Sequence, residues 1–120
     1  PFSKAVYQSR SPINHIDKLA CPVIFFQGLE DKVVPPNQAE AMVKALKAKG
    51  IPTVYIAYEG EQHGFRKAEN IIYTLESELG FFLKVFKIEH QHKIAELPAF
   101  AWFGLFTDNL IVNREDSLAI

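Results

Sequence analysis

The chain has 120 residues, of which 48% are apolar and 22% are charged, so its composition fits one small globular domain and excludes a disordered chain. Its 13 Lys and Arg balance 14 Asp and Glu, and the net charge of -1 offers no basic surface to nucleic acid or to an acidic membrane. The single cysteine, Cys21, excludes an intrachain disulfide and a cysteine-based zinc cluster, and no apolar run is long enough to span a bilayer.

The first 20 residues are mostly polar and lack the apolar region of a secretion signal. We therefore expect a soluble, cytoplasmic domain that opens with a loop and at most one helical turn. Ser11 precedes a proline, which disfavours the helical conformation, so Ser11 is expected to be extended.

Two apolar runs predict the strands of a parallel sheet. The first begins with Cys21 and continues from Val23 to Phe26, and it ends near Gly28. The second covers residues 53–58. Neither run alternates with polar residues and both are short for a helix, which is typical of strands buried on both faces.

Between these runs, residues 37–49 predict a helix. Asn37 is expected to cap its N-terminus, and Gly50 is well placed to end it with a left-handed residue. The side facing the core is predicted from apolar residues at helical spacing, which are Ala39, Met42, Val43 and Leu46.

A second helix is predicted over residues 67–87, with a bend or a close helix contact at Gly80. Its apolar stripe, which we expect to face the core, consists of Ala68, Ile72, Leu75, Leu79, Phe82 and Phe86.

The order strand, helix, strand, helix predicts an α/β fold with a parallel sheet and a right-handed crossover, formed by residues 1–89. Two strands leave edges and apolar faces uncovered, so further strands are expected from elsewhere in the protein or from a second chain. We therefore expect a homo-oligomer that associates through the sheet edge or through the apolar C-terminal segment. Residues 90–120 stay unassigned, because the apolar stretch 99–106 around Trp102 is compatible with an extra strand or helix, an oligomer contact or a non-native extension.

Two polar residues follow the predicted strands and are the candidates for chemistry. Asp31 comes soon after the first strand, and His63 comes soon after the second. The carboxyl ends of parallel strands share one edge of the sheet, which is where ligand sites of open α/β sheets lie. A carboxylate beside a histidine fixes the imidazole tautomer and stabilises the imidazolium, although an aspartate in such a turn is also a common turn residue or helix cap.

The segments C-P-V-I-F-F-Q-G-L-E-D-K-V-V-P, from Cys21, and G-E-Q-H-G-F-R, from Gly60, together resemble the C-terminal end of the prolyl oligopeptidase family of serine peptidases, in its acylaminoacyl-peptidase and dipeptidyl-peptidase branch. The resemblance covers about residues 6–89 and implies the last two strands of an α/β hydrolase, which is preceded in the family by a β-propeller. It implies that Asp31 is the triad acid and His63 the triad base, in the family's order Ser, Asp, His. It also implies a peptide substrate and no cofactor or metal.

Two departures from the family pattern are present. Gln62 stands where the family commonly has glycine before the histidine, so its side chain is expected to crowd the loop or to require a different backbone angle. The nucleophile is also absent, since no serine lies in a G-x-S-x-G elbow. We therefore expect a C-terminal fragment of a hydrolase domain that is inactive alone. The serines concerned are Ser3, Ser9, Ser11, Ser77 and Ser117.

Two alternatives stay open at this point. One is part of an esterase or dienelactone-hydrolase-like enzyme, which shares the Asp and His loops. The other is a non-catalytic α/β module that self-associates. A concentration-dependent mass would favour the latter.

The other reactive side chains are expected to be structural. Cys21 precedes its strand at the wrong end of the sheet for a nucleophile and is expected in the core. His90 and His92 have a metal-binding spacing without a third ligand, which favours a solvated linker, and His15 is expected to have no chemical role. The aromatic residues expected in the core are Tyr55, Tyr58, Phe81 and Phe82.

Overall fold

The computed structural model describes residues 3–87 and the backbone of residues 109–113. Its elements, in chain order, are helix α1 (Lys4–Arg10), a 3₁₀ helix (Pro12–Lys18), strand β1 (Val23–Gly28), helix α2 (Pro36–Ala48), strand β2 (Thr53–Tyr58), helix α3 (Ala68–Val85) and strand β3 (Asn109–Asn113). The predicted α/β organisation is confirmed, and both predicted strands lie within one or two residues of the expected positions.

The sheet is parallel throughout, with the strand order β1-β2-β3. In its register Val23 pairs with Thr53, and Thr53 in turn pairs with Asn109. All six residues of the central strand β2 are buried, as its continuous apolar run predicts. The third strand lies beyond the two that we expected, and the apolar stretch 99–106 and Trp102 lie outside the described residues.

Helices cover both faces of the sheet, so β2 contributes to two cores. The alternate residues Val54, Ile56 and Tyr58 pack with Tyr73 and Phe81 of α3. On the other face, Tyr55 and Ala57 pack with Val43 of α2. This division follows from the two-residue period of a strand, which sends successive side chains to opposite faces.

Helix α2 ends as its sequence predicts but begins differently. At its C-terminus Gly50 has a φ of 77°, and its N–H donates to the Lys47 carbonyl while the Ile51 N–H donates to that of Leu46, which is the Schellman arrangement. At the N-terminus the expectation for Asn37 is wrong. The helix begins at Pro36, whose fixed φ suits the first turn, and Asn37 lies within the helix.

The prediction that Met42 belongs to the core is only partly right. Its side chain is half-buried, and it lines an apolar groove of about 730 Å³ with Phe25 of β1 and Ile13 of the 3₁₀ helix. The helical stripe therefore continues past the buried residues Val43 and Leu46 onto an open groove.

The N-terminal segment is more ordered than the expected loop. Residues 4–10 and 12–18 are helical, with Ser11 extended between them at φ -80° and ψ 121°, as expected. Local polar contacts explain the difference, because the Ser11 hydroxyl bonds the Tyr7 carbonyl. The Lys49 ammonium, which lies just after α2, also donates to three carbonyls near the end of the 3₁₀ helix, those of Ile16, Asp17 and Leu19.

The face of helix α3 that packs on the sheet differs from the face predicted from the sequence. Its buried residues are Asn70, Tyr73, Ser77, Gly80 and Phe81, and the helix continues through Gly80 as one element. The apolar stripe predicted to face the core is instead exposed, with side chains between 42% and 65% accessible at Ile72, Leu75, Leu79, Phe82 and Phe86. The expectation that Phe82 is core is therefore wrong. Helical spacing shows that residues share a face, whereas the aromatic Tyr73 and Phe81 determine which face contacts the sheet.

Cys21 is a further correction, because it is exposed and not part of the core. It precedes the first paired residue, Val23, and so lies outside the stretch that the sheet buries. Within the described part of the chain, no helix is both long enough and apolar enough to cross a membrane.

Candidate active site

The site is built where β1 and β2 end side by side. Because the strands are parallel, Gly28 pairs with Tyr58, and the loops that follow both residues leave the same edge of the sheet. These loops carry Asp31 and His63. The structure brings the two predicted residues together, with Oδ2 of Asp31 2.9 Å from Nδ1 of His63.

The carboxylate of Asp31 is only 7% exposed and is held on both oxygens. Oδ1 accepts the backbone N–H groups of Val33 at 2.9 Å and Val34 at 2.8 Å, while Oδ2 faces His63. Burial raises the pKa of this carboxyl, but the hydrogen bonds from Val34, His63 and Val33 outweigh burial, so its pKa is lowered. Asp31 is thus ionised at neutral pH, and its two oxygens serve the turn and the histidine separately.

His63 lies on the solvent side of this pair, with 58% of its side chain exposed. The ionised carboxylate of Asp31 can only accept a hydrogen bond, so Nδ1 of His63 carries the proton that joins them. When the ring is neutral, Nε2 then keeps its lone pair on the exposed side of the pair. This is the tautomer that a general base requires.

Backbone contacts join the two loops. The Leu29 N–H donates to the Tyr58 carbonyl at 3.0 Å, and the Glu30 N–H donates to the Glu61 carbonyl at 2.9 Å. Gly28 permits this approach, because a Cβ there would lie 2.3 Å from the Gln62 carbonyl oxygen. The position of His63 relative to Asp31 is therefore fixed by main chain as well as by side chains.

The expected crowding of the loop by the Gln62 side chain is not observed. Its side chain is exposed, and among residues 3–87 the non-glycine residues with positive φ are Ser3 and Lys87. A glycine is therefore not required at this position. The crowding that matters is at Gly28, against the Gln62 carbonyl.

Two buried polar side chains support the loops and were missed by sequence reasoning. Gln27 is 6% exposed, and its Nε2 donates to the carbonyls of Gly28 and Val34, which closes the Asp31 loop. Glu61 is 1% exposed, and its carboxylate accepts two hydrogen bonds from the His63 loop and one from Asn70 of α3. Their positions in the sequence could have identified them, since Gln27 is a polar residue in an apolar strand and Glu61 lies two residues before the histidine.

The pKa of Glu61 is also lowered. Burial raises it, but the Asn70 amide and the backbone N–H groups of Arg66 and Lys67 outweigh burial, with a smaller contribution from the Lys67 charge. Glu61 is therefore a second ionised carboxylate at this edge of the sheet.

Other reactive residues lie elsewhere or outside the described residues. Cys21 is near the start of β1, at the end of the strand opposite Asp31, and His15 bonds the Ser9 carbonyl. His90, His92 and Ser117 fall outside the described residues. Within residues 3–87, no group of three or more His, Cys, Asp or Glu is placed to hold a metal ion.

A parallel sheet with helices on both faces and an acid–histidine pair beyond neighbouring strands is the arrangement of an α/β hydrolase, of which the described residues form a part. Residues 2–89 match the family model of the prolyl oligopeptidase family, peptidase S9, and the chain belongs to this family.

Curated relatives and solved structures agree with this membership. The chain is 38% identical over 61 residues to dipeptidyl aminopeptidase BIII of Pseudoxanthomonas mexicana, covering 51% of this chain and 9% of that enzyme. It is 31% identical over 64 residues to acylamino-acid-releasing enzyme 1 of Oryza sativa subsp. japonica, covering 53% and 8%. A puromycin-hydrolysing peptidase of Mycobacterium tuberculosis superposes with a TM-score of 0.69 at 46% identity, covering 72% of this chain and 13% of that one. The chain thus spans about a tenth of the length of its relatives.

Proposed function

We propose that this chain supplies the acid and the base of the catalytic triad of a serine peptidase that acts on peptides, of the dipeptidyl-peptidase or acylaminoacyl-peptidase type. The observation that carries this is the 2.9 Å contact between Asp31 Oδ2 and His63 Nδ1 on the loops after two neighbouring parallel strands. Family membership and the peptidase relatives support it.

In this mechanism Nε2 of His63 takes the proton of a serine hydroxyl as the serine oxygen attacks the scissile carbonyl. Asp31, ionised and hydrogen-bonded to Nδ1, stabilises the imidazolium that results. The proton then passes from Nε2 to the leaving amine, and a water molecule repeats the sequence to release the acyl group. The serine and the oxyanion hole come from the part of the hydrolase domain that this chain does not match.

The first test measures whether the nucleophile lies outside this chain. The purified 120-residue protein is incubated with a fluorophosphonate serine-hydrolase probe and its intact mass is measured. We expect no adduct, because none of its serines lies in a G-x-S-x-G sequence. A stoichiometric adduct would show that one of these serines is activated and would overturn the proposal that the chain is inactive alone.

The second test supplies the missing serine. Residues 3–87 replace the matching segment of the Mycobacterium tuberculosis peptidase, with which the chain shares 46% identity, and puromycin hydrolysis is measured. His63→Ala is expected to lower kcat in this chimera by about 10⁶-fold, because the serine loses its base. Glu78→Gln on the exposed surface of α3 is the matched control and should be without effect. Equal turnover by the parent chimera and its His63→Ala variant would refute the assignment.

The esterase alternative shares the acid–base pair and differs in the leaving group. The same chimera separates the two, because a peptidase must protonate a poor amine leaving group whereas an ester leaves more easily. We expect His63→Ala to impair hydrolysis of an amide substrate more severely than hydrolysis of the matched ester.

We also propose that the chain self-associates, since five large apolar side chains of α3 are exposed along one face. The expected contacts through a sheet edge or the C-terminal segment remain proposals, as does the cytoplasmic location. Sedimentation velocity over a wide concentration range tests association. A mass that stays monomeric at the highest concentration would exclude a self-associating module.

A further inference from the structure

We propose that Glu61 is a positioning residue for the Asp31–His63 pair, because its buried carboxylate determines the path of the loop that carries His63. The inference rests on the proposed function, in which this pair is the catalytic acid and base. Glu61 acts through the backbone, so it is distinct from the residues that move protons.

The first support is how the carboxylate is bound. Oε2 accepts the backbone N–H of Arg66 at 2.7 Å, and Oε1 accepts that of Lys67 at 2.9 Å together with the Asn70 side-chain amide at 3.0 Å. With an exposure of 1%, an ionised carboxylate is stable only because these donors replace its water. The hydrogen bonds close residues 61–67 into a ring, and His63 lies within it.

The second support is that the same residue also contacts the Asp31 loop. The carbonyl oxygen of Glu61 accepts the N–H of Glu30, the residue before Asp31, at 2.9 Å. The side chain of Glu61 thus fixes the His63 loop while its main chain fixes the Asp31 loop. Capping of α3 would not require this contact with the Asp31 loop.

The third support is a second anchor on the other side of His63. Phe65 packs on the buried ring of Tyr58, with the ring centroids 4.8 Å apart. Glu61 and Phe65 therefore hold the loop at both flanks of His63. Glu61 is the anchor with directional bonds, so it sets the orientation of the backbone at His63.

The test uses the 120-residue chain and the tautomer of His63, read by long-range ¹H–¹⁵N correlation of its ring nitrogens. In the parent chain the neutral ring should carry its proton on Nδ1, because Asp31 accepts it. In Glu61→Gln one carboxylate oxygen is replaced by an NH₂ group, which cannot accept the backbone N–H that this oxygen binds. The loop should therefore shift, and the Nδ1–H form of His63 should lose population. Glu78→Gln, which removes an exposed carboxylate from α3, should keep the parent tautomer.

A general loss of stability is distinguished from positioning by Ile51→Val, which weakens the core just before the start of β2, at the opposite end of the strand from both loops. We expect this variant to lower stability and to leave the His63 tautomer unchanged. If Ile51→Val moves the tautomer as far as Glu61→Gln does, or if Glu61→Gln leaves it unchanged, the proposal is overturned.

Asn70→Ala keeps the result decisive if Glu61→Gln fails to fold, because it removes one donor and leaves the carboxylate in place. A smaller change of the tautomer in the same direction supports the proposal, and an unchanged tautomer in folded Asn70→Ala overturns it.

Activity of the chimera separates this inference from the proposed function. A catalytic pair displaced by about 1 Å loses roughly 10²-fold in rate, so Glu61→Gln should lower kcat by that factor with little change in KM. Full activity of Glu61→Gln beside an inactive His63→Ala would reject the positioning role and keep the triad. Full activity of His63→Ala would reject the triad itself.

Discussion

Gly28 lies where the two loops of the site approach each other closely. A Cβ on this residue would lie 2.3 Å from the Gln62 carbonyl oxygen and 2.5 Å from that of Glu61. Both contacts are to backbone, which cannot rotate away as a side chain can. A glycine is thus required at position 28 because no side chain fits there. Gly28 lies directly before the Asp31 loop, so a substitution would disturb the site itself.

Gly28→Ala is expected to lower the free energy of unfolding by about 1–3 kcal/mol, because the loops must separate to admit the methyl group. Urea unfolding measures this. Gly64→Ala is the matched control, since a Cβ there meets nothing within 4 Å and the backbone does not need glycine. Equal stabilities of the two variants would contradict the close approach.

At the scale of elements, sequence patterns predicted strands better than helix faces. The runs at β1 and β2 were recognisable because strands buried on both faces need continuous apolar residues. The pairing of Asp31 with His63 followed from parallel strand ends. The exposure of the apolar stripe of α3 was not predictable, because helical spacing shows which residues share a face but not which face the sheet covers. Glu61 and Gln27 were also missed, since their partners are mostly backbone groups that only the folded loops bring near.

The contact between α2 and the 3₁₀ helix gives an element-scale prediction. The Nζ of Lys49 donates to the carbonyls of Ile16, Asp17 and Leu19 at 2.6–2.8 Å. Lys49→Met should destabilise the chain by about 1 kcal/mol, because exposed charge-assisted hydrogen bonds are only partly replaced by water. Hydrogen exchange over residues 12–18 should rise more than elsewhere. Lys44→Met, which changes an exposed lysine within α2, is the control, and equal exchange in both variants would refute the contact.

For the whole molecule, the two ionised carboxylates determine the response to acid. The pKa values of Asp31 and Glu61 are both lower in the folded chain than their ordinary values. The stability that they contribute is therefore present above the ordinary carboxyl pKa of about 4 and is lost as pH falls through the lowered values. We expect the free energy of unfolding to decline below about pH 4, when measured by urea unfolding across pH. In Glu61→Gln the decline should be shallower, and an unchanged slope would contradict a native-state role of its charge.

The hydrogen bond between Asp31 and His63 joins residues 32 positions apart, across the whole connection formed by α2. Contacts of this sequence separation form only after the chain has lost the entropy of closing a long loop, so they appear late compared with local helix formation. A partly folded chain with α2 formed and the strands unpaired contains both residues but lacks the oriented imidazole. The acid–histidine contact therefore reports completed β1–β2 pairing, and during synthesis it can form only after β2 has emerged from the ribosome.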